Sequence, residues 1–200
     1  ISPYLIKNKF NTYTTRNLKF YLLRGFFNLP MMIFGFGALV YVPFEQFKAM
    51  NFLSPIIVVL LSFIIFREKI FIYRILALAI GFLGMLIIVR PGIVDFNIGT
   101  IMILISLTFW SFIVIISKFV SKNDSPITLV TYQYTIMTIF SLPLAIYFWQ
   151  MPSLNSLIFV FIGAISGTIL HLSLALSHKY AELSLTQPVW FSGLIFGSAF

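Results

Sequence analysis

The sequence predicts an all-α, polytopic membrane protein, and three observations lead to that fold class. Of its 200 residues 60% are hydrophobic and only 9% are charged, whereas a soluble domain needs about a quarter of its residues charged to cover its surface. The mean hydropathy is +1.03. The apolar residues form continuous runs instead of alternating with polar ones, which excludes a β-barrel. The lipid bilayer is therefore the expected partner for most of the surface.

A helix rises about 1.5 Å per residue, so about 20 apolar residues cross a hydrocarbon core of about 30 Å. Runs of that length predict helices over 20–41, 44–66, 70–90, 97–118, 127–149 and 155–177, with another beginning near 183. Before them, KNKFNTYTTRNLK is polar where a signal peptide would carry its apolar stretch, and it reads as a loop. The connectors carry breakers or charges: Val42-Pro43, Arg67-Glu68-Lys69, Arg90-Pro91-Gly92, Asn123-Asp124-Ser125-Pro126 and Met151-Pro152-Ser153. Pro55 stands just inside the second run. The chain opens on ISPYLI and ends at Phe200 inside an apolar run, the pattern of a piece of a larger membrane protein or of a broken reading frame.

The formal net charge of +8 does not call for a nucleic-acid partner once the 13 basic residues are sorted by side. Lys7, Lys9, Arg16, Lys19, Arg24, Arg67, Lys69, Arg74, Lys118, Lys122 and Lys179 fall on one side of the predicted helices. Only Lys48 and Arg90 fall on the other. Basic residues collect in cytoplasmic loops, so this bias makes the Arg67-Glu68-Lys69 turn cytoplasmic.

Several chemistries are excluded or weakened. The chain has no cysteine, hence no disulfide framework and no thiolate metal site. It carries no phosphate-binding loop, and no cofactor or metal is expected. Ser166 and His171 invite an intramembrane serine protease, but five residues apart on one helix they point to different faces. Glu68 reads as a turn-fixing carboxylate that complements a helix N-terminus and can pair with Arg67, Lys69 or Arg74. Glu45 has Lys48 as an i,i+3 partner. Arg24 lies about one turn inside the first helix, either snorkelling to the headgroups or meeting an anionic group at a cavity mouth.

Deeper polar groups find no partner in hydrocarbon, so they must face protein or a water-filled cavity. Asn28, Asn51, Trp110, Gln133, His171, Gln187 and Trp190 are in this class, each an interhelical hydrogen bond or a ligand contact. The pairs Gly163-x-x-x-Gly167 and Gly193-x-x-x-Gly197 read as flat faces for close helix approach.

At GALVYVPFEQFKAMNFLSPIIVVLLSFIIFREK and GFLGMLIIVRPG the chain resembles the EamA-type domain of the drug/metabolite transporter superfamily. The shared features are Pro55, Glu68, Gly81-x-x-Gly84 and Arg90-Pro91-Gly92. ALSHKYAELSLTQPVWFSGLIFG is similar to the matching part of the second repeat, at Ala175, Ala181, Ser184 and Pro188. The resemblance runs over about 180 residues and implies ten helices in two five-helix halves, inserted with opposite orientation around a central site. Residues 1–92 would then be the end of the first repeat (family helices three to five), and 93–200 the second repeat through helix nine. Between 41–56 and 180–195 only Tyr41/Tyr180, Phe52/Phe191 and Ile56/Ile195 are identical, so the repeat is faint. Related helices often carry an arginine near Gln133, and its absence here weakens anion binding at that position. Leu23-Arg24-Gly25 and Asp95-Phe96-Asn97 further resemble the branch that includes the S-adenosylmethionine uptake carriers.

The resemblance implies a secondary carrier of a small metabolite in a bacterial inner membrane, working by alternating access. The substrate-cavity candidates are Arg24, Asn51, Trp110, Gln133, Gln187 and Trp190. Of these, Trp110, Gln133, Gln187 and Trp190 are the mid-depth ones, and two aromatic faces with two amides suit a zwitterionic or cationic metabolite, such as S-adenosylmethionine, better than a phosphate ester or dicarboxylate. The alternative is a non-transporting helical subunit or scaffold, which would pack solidly where a carrier keeps a polar-lined cavity.

Overall fold

A computed structural model describes residues 15–68, 71–89 and 97–191, with the side chains of Ile88, Val89, Trp190 and Phe191 outside that description. The described residues are helical throughout, with no strand: α1 (Leu18–Ala38), α2 (Phe44–Asn51), α3 (Ser54–Phe66), α4 (Ile72–Val89), α5 (Ile98–Ser121), α6 (Pro126–Tyr147), α7 (Leu154–Tyr180), α8 (Leu183–Thr186) and a 3-10 turn, Gln187–Phe191. Among the described residues, five segments are long and apolar enough to cross a bilayer: Leu18–Ala38, Phe44–Phe66, Ile98–Ser121, Pro126–Tyr147 and Leu154–Tyr180. The apolar part of α4, Ile72–Ile87, is shorter. Lys69, Arg90-Pro91-Gly92, Asp95-Phe96 and Gly193-x-x-x-Gly197 lie outside the described residues.

The run expected as one helix over 44–66 is two helices with a break at Phe52-Leu53. Pro55 has no N–H to donate to the Asn51 carbonyl, and its ring crowds that carbonyl, so the α2 ladder cannot run on through it. The preceding amides close tighter turns instead, with Phe52 N–H on the Ala49 carbonyl and Leu53 N–H on Met50 (3.1 and 2.9 Å). The ladder restarts when Ile57 N–H reaches the Leu53 carbonyl at 3.2 Å. Pro55 itself is fully buried in the first turn of α3. Likewise α1 stops at Ala38 instead of continuing to 41, since Val42 precedes Pro43.

The chain divides into two compact units, each drawn from both halves of the sequence: 1–26 with 116–180, and 27–115 with 181–200. In the first, α6 packs along α7. Ser125 caps α6 by accepting the Thr128 amide at 3.1 Å, with Pro126 at the start of the helix where a missing N–H costs nothing. Asp124 accepts from Thr15 Oγ1 (2.6 Å), Tyr21 Oη (3.0 Å) and Asn17 Nδ2 (3.4 Å). The Tyr21 and Tyr132 rings stack at 4.5 Å. Lys118 Nζ and Ser121 Oγ both donate to the His178 carbonyl near the end of α7 (2.8 and 3.1 Å), a cation where the helix dipole is negative. Most of α7 is exposed, and only Ala175 and His178 are buried along it.

In the second unit one apolar cluster joins Ala38, Val42, Met50, Ile103 and Leu107, and another joins Val58, Val114, Ile115 and Leu183. The α3 helix packs on α8 and on the 3-10 turn, while α4 packs on α2 and on that turn. Association within lipid depends on close van der Waals contact rather than on a hydrophobic driving force. Gly35 supplies such contact, since a Cβ there would stand 2.9 Å from Ser106 Oγ. At the opposite end from Glu68, Asn97 Nδ2 donates to the Tyr41 carbonyl at 3.2 Å.

Candidate functional site

Within the first unit, three polar side chains meet inside the spanning helices. Arg24 is six residues into α1, Gln133 seven into α6 and His171 nine before the end of α7. At about 1.5 Å per residue each lies about 9 to 14 Å from one end of its helix. Arg24 Nη2 donates to Gln133 Oε1 at 2.7 Å, and Gln133 Nε2 lies 3.4 Å from His171 Nδ1. The Tyr134 ring meets the His171 ring edge-to-face at 5.8 Å. Gly167, one turn before His171, leaves the space beside it open, with Tyr134 Oη 3.9 Å from where a Cβ would be.

Arg24 is only 5% exposed. Its guanidinium therefore turns inward to α6 and Gln133 rather than snorkelling outward. A guanidinium can only donate, so its bond fixes which end of the Gln133 amide is the oxygen. Burying a cation in the apolar zone is expensive, and such residues face protein or a polar path.

A second polar cluster closes one end of the second unit. The Glu68 carboxylate accepts the amides of Leu183 (3.3 Å) and Ser184 (3.0 Å), first-turn amides of α8 that have no partner within the helix. Arg74 Nη1 pairs with Glu182 Oε2 at 2.8 Å and donates to Ser184 Oγ. Arg74 also lies over the Phe71 ring, 5.1 Å from its centroid. Glu68 fixes a turn, but through the backbone of a distant segment rather than through Arg67 or Arg74. Arg67 helps by adopting a left-handed backbone (φ 54°) that ends α3.

The other candidates are dispersed. Asn51 donates to its own helix, to the Phe47 carbonyl at 2.8 Å. Trp110 is half-buried against the apolar Val58–Leu183 cluster. Gln187 is buried at the end of α8. Trp190 lies in the 3-10 turn, its side chain undescribed. Gly81 is buried in α4 and Gly84 half-buried. Gly163 has nothing within 4 Å of a built Cβ. Lys48 sits over the Phe44 ring at 4.7 Å rather than pairing with Glu45. Sequence reasoning did not assemble Arg24, Gln133 and His171, although their matching depths from one side were countable.

A family model described as "EamA-like transporter family" matches residues 1–90 and 97–200. The chain is 32% identical over 176 residues to a riboflavin transporter of Vibrio cholerae, covering 87% of this chain and 59% of that protein. It is 25% identical over 197 residues to an S-adenosylmethionine uptake transporter of Rickettsia prowazekii, covering 96% of this chain and 66% of that protein. The corresponding transporter of Rickettsia conorii is 26% identical over the same length. The chain thus spans less than two thirds of the length of these curated relatives.

Proposed function

The chain belongs to the EamA-like transporter family, and from that premise we propose that its protein is a secondary carrier of a small metabolite. Alternating access in a bacterial inner membrane is the mode we assign to it. The observation that carries the reading is the buried Arg24–Gln133 hydrogen bond inside spanning helices, beside His171. A solid scaffold gains nothing from a desolvated guanidinium at that depth, whereas a carrier needs polar groups along its path.

The ten-helix inverted repeat supplies the frame for this reading, with 1–92 closing the first repeat and 93–200 forming the second. Two features support it. The family matches in two consecutive stretches. Segments paired through Tyr41/Tyr180 and Phe52/Phe191 both begin as short helices, Phe44–Asn51 and Leu183–Thr186, that then lose α geometry. Interrupted helices at matched positions mark the central site in such repeats.

The substrate class is a metabolite of low net charge with a planar ring. Compounds named for the relatives, riboflavin and S-adenosylmethionine, both carry a heteroaromatic ring with hydrogen-bonding edges. One amide-tethered arginine suits a carboxylate or ring carbonyl, and a single fork is too little for a phosphate ester or dicarboxylate. The test is uptake by the full-length protein in proteoliposomes, with labelled riboflavin and labelled S-adenosylmethionine. At least one should enter, sugar phosphates and dicarboxylates should not compete, and Arg24→Gln should lower uptake about tenfold or more. Competition by the multiply anionic compounds alone, with Gln133→Ala and Trp110→Ala unchanged, would overturn the reading.

A further inference from the structure

The hydrogen bonds around Gln133 have a directional consequence for His171. Arg24 can only donate, so Gln133 must present Oε1 to it and Nε2 to the imidazole. The Gln133 Nε2 group is itself a donor. His171 Nδ1 must then be the acceptor, and the ring proton of the neutral imidazole sits on Nε2. That Nε2 makes no hydrogen bond to any described residue, and it is not among the buried polar atoms without partners. The ring meets Tyr134 edge-to-face, and Gly167, one turn earlier on α7, leaves open space with only Tyr134 Oη near it.

We propose that His171 is a substrate-binding residue, held by Gln133 as its Nε2–H tautomer to donate a hydrogen bond to a carbonyl or ring-nitrogen acceptor of the carried metabolite. This rests on the carrier reading above and adds a specificity element to it. Three helices cooperate: α1 supplies the cation that orients the amide, α6 the amide that orients the imidazole, and α7 the imidazole that meets the ligand. Arg24 from α1, Tyr134 from α6 and His178 on α7 itself are the nearby charged or titratable groups. Gln133 is a positioning residue, because it acts on the ligand through His171. The expected ligand edge is an acceptor on a planar ring, since the Tyr134 ring lies edge-to-face with the imidazole that carries the donor.

Solution or solid-state nitrogen-15 spectra of histidine-labelled full-length protein in nanodiscs read the tautomer directly. Loss of a signal in His171→Gln assigns it. The expected pattern is an unprotonated Nδ1 and a protonated Nε2. Gln133→Glu should reverse it, because a carboxylate offers Arg24 one acceptor and His171 Nδ1 another. A protonated Nδ1 in the unmodified protein, or a tautomer that ignores Gln133→Glu, would overturn the assignment. Uptake of riboflavin and of S-adenosylmethionine supplies the second readout. His171→Gln keeps an N–H at similar reach and should retain uptake within about threefold, while His171→Leu should lose about tenfold, the loss of one hydrogen bond. Equal loss in both variants would indicate a role that only a titrating ring can fill, and no loss in either would remove His171 from the site. Absence of uptake by the unmodified protein would sink the carrier reading, with the tautomer still judged from the spectra.

Discussion

The Glu68 carboxylate lies 3.0 Å from the Ser184 amide nitrogen, across 116 positions of sequence. With the Leu183 amide on its other oxygen, it caps a helix that supplies no capping side chain of its own. A carboxylate on two helix-terminal amides is worth more than a neutral hydrogen bond. Glu68→Ala should therefore destabilise the detergent-solubilised protein by about 1 to 3 kcal/mol, and Glu68→Gln by roughly half as much. Exposed Glu45 makes no ion pair with Lys48, so Glu45→Ala should change stability by less than about 0.5 kcal/mol. Thermal unfolding followed by fluorescence-detected size exclusion separates these cases. Equal effects of Glu68→Ala and Glu45→Ala would remove the cap from the account.

A tighter contact sits at Gly25. A Cβ built there would overlap the Ile136 Cγ2 methyl and stand 3.5 Å from Phe140 Cε2. Ile136 is buried, so it has little room to yield. Gly25→Ala should cost about 1 to 3 kcal/mol, the range for forcing an extra methyl into a packed contact. Truncating the obstacle should relieve it: Ile136→Ala combined with Gly25→Ala should unfold later than the sum of the two single changes predicts. Additive losses, read from the same melts, would mean that the glycine matters for another reason. Gly163→Ala serves as the contrast and should be nearly neutral, because nothing lies within 4 Å of it.

Gly25 also shows what sequence could and could not tell. Spans were legible because about 20 apolar residues in a row have few other fates. Their sides are read from charge bias, which sums over many loops, and cysteine labelling tests that reading. Of the spaced glycines, Gly163 has nothing within 4 Å among the described residues, while close approach falls at Gly25, Gly35 and Gly99, against side chains from distant segments. The break at Phe52-Leu53 was written in Pro55, yet hydropathy hid it, since both pieces are apolar enough to read as one span. Glu68 reads in sequence as a turn-fixing residue, but the amides it accepts belong to a segment far along the chain, and no local pattern names them. Arg24 was ambiguous for a physical reason. A long side chain one or two turns inside a membrane can reach either the headgroups or a neighbouring helix, and only the position of Gln133 decides.

Membrane orientation gives the last prediction. The side carrying eleven of the thirteen basic residues should be cytoplasmic. The structure groups loops consistently with that sorting inside each unit. In the second unit, Glu68 and Arg74 meet Leu183, Ser184 and Glu182 at one end, and Tyr41 meets Asn97 at the other. In the first unit, Asp124 gathers Thr15, Asn17 and Tyr21, and Lys118 reaches the end of α7 at His178. A wrong assignment of sides would have to move these hydrogen-bonded partners together, so one label per end tests a whole set of loops. The chain has no cysteine, which leaves it silent to thiol reagents until one is introduced. Arg67→Cys and Lys122→Cys should resist an impermeant maleimide in intact cells and react after permeabilisation. Gln150→Cys and Ser153→Cys, in the α6–α7 connector and exposed, should react in intact cells. Labelling of Arg67→Cys from outside would invert the topology, and with it the side from which Arg24, Gln133 and His171 are reached.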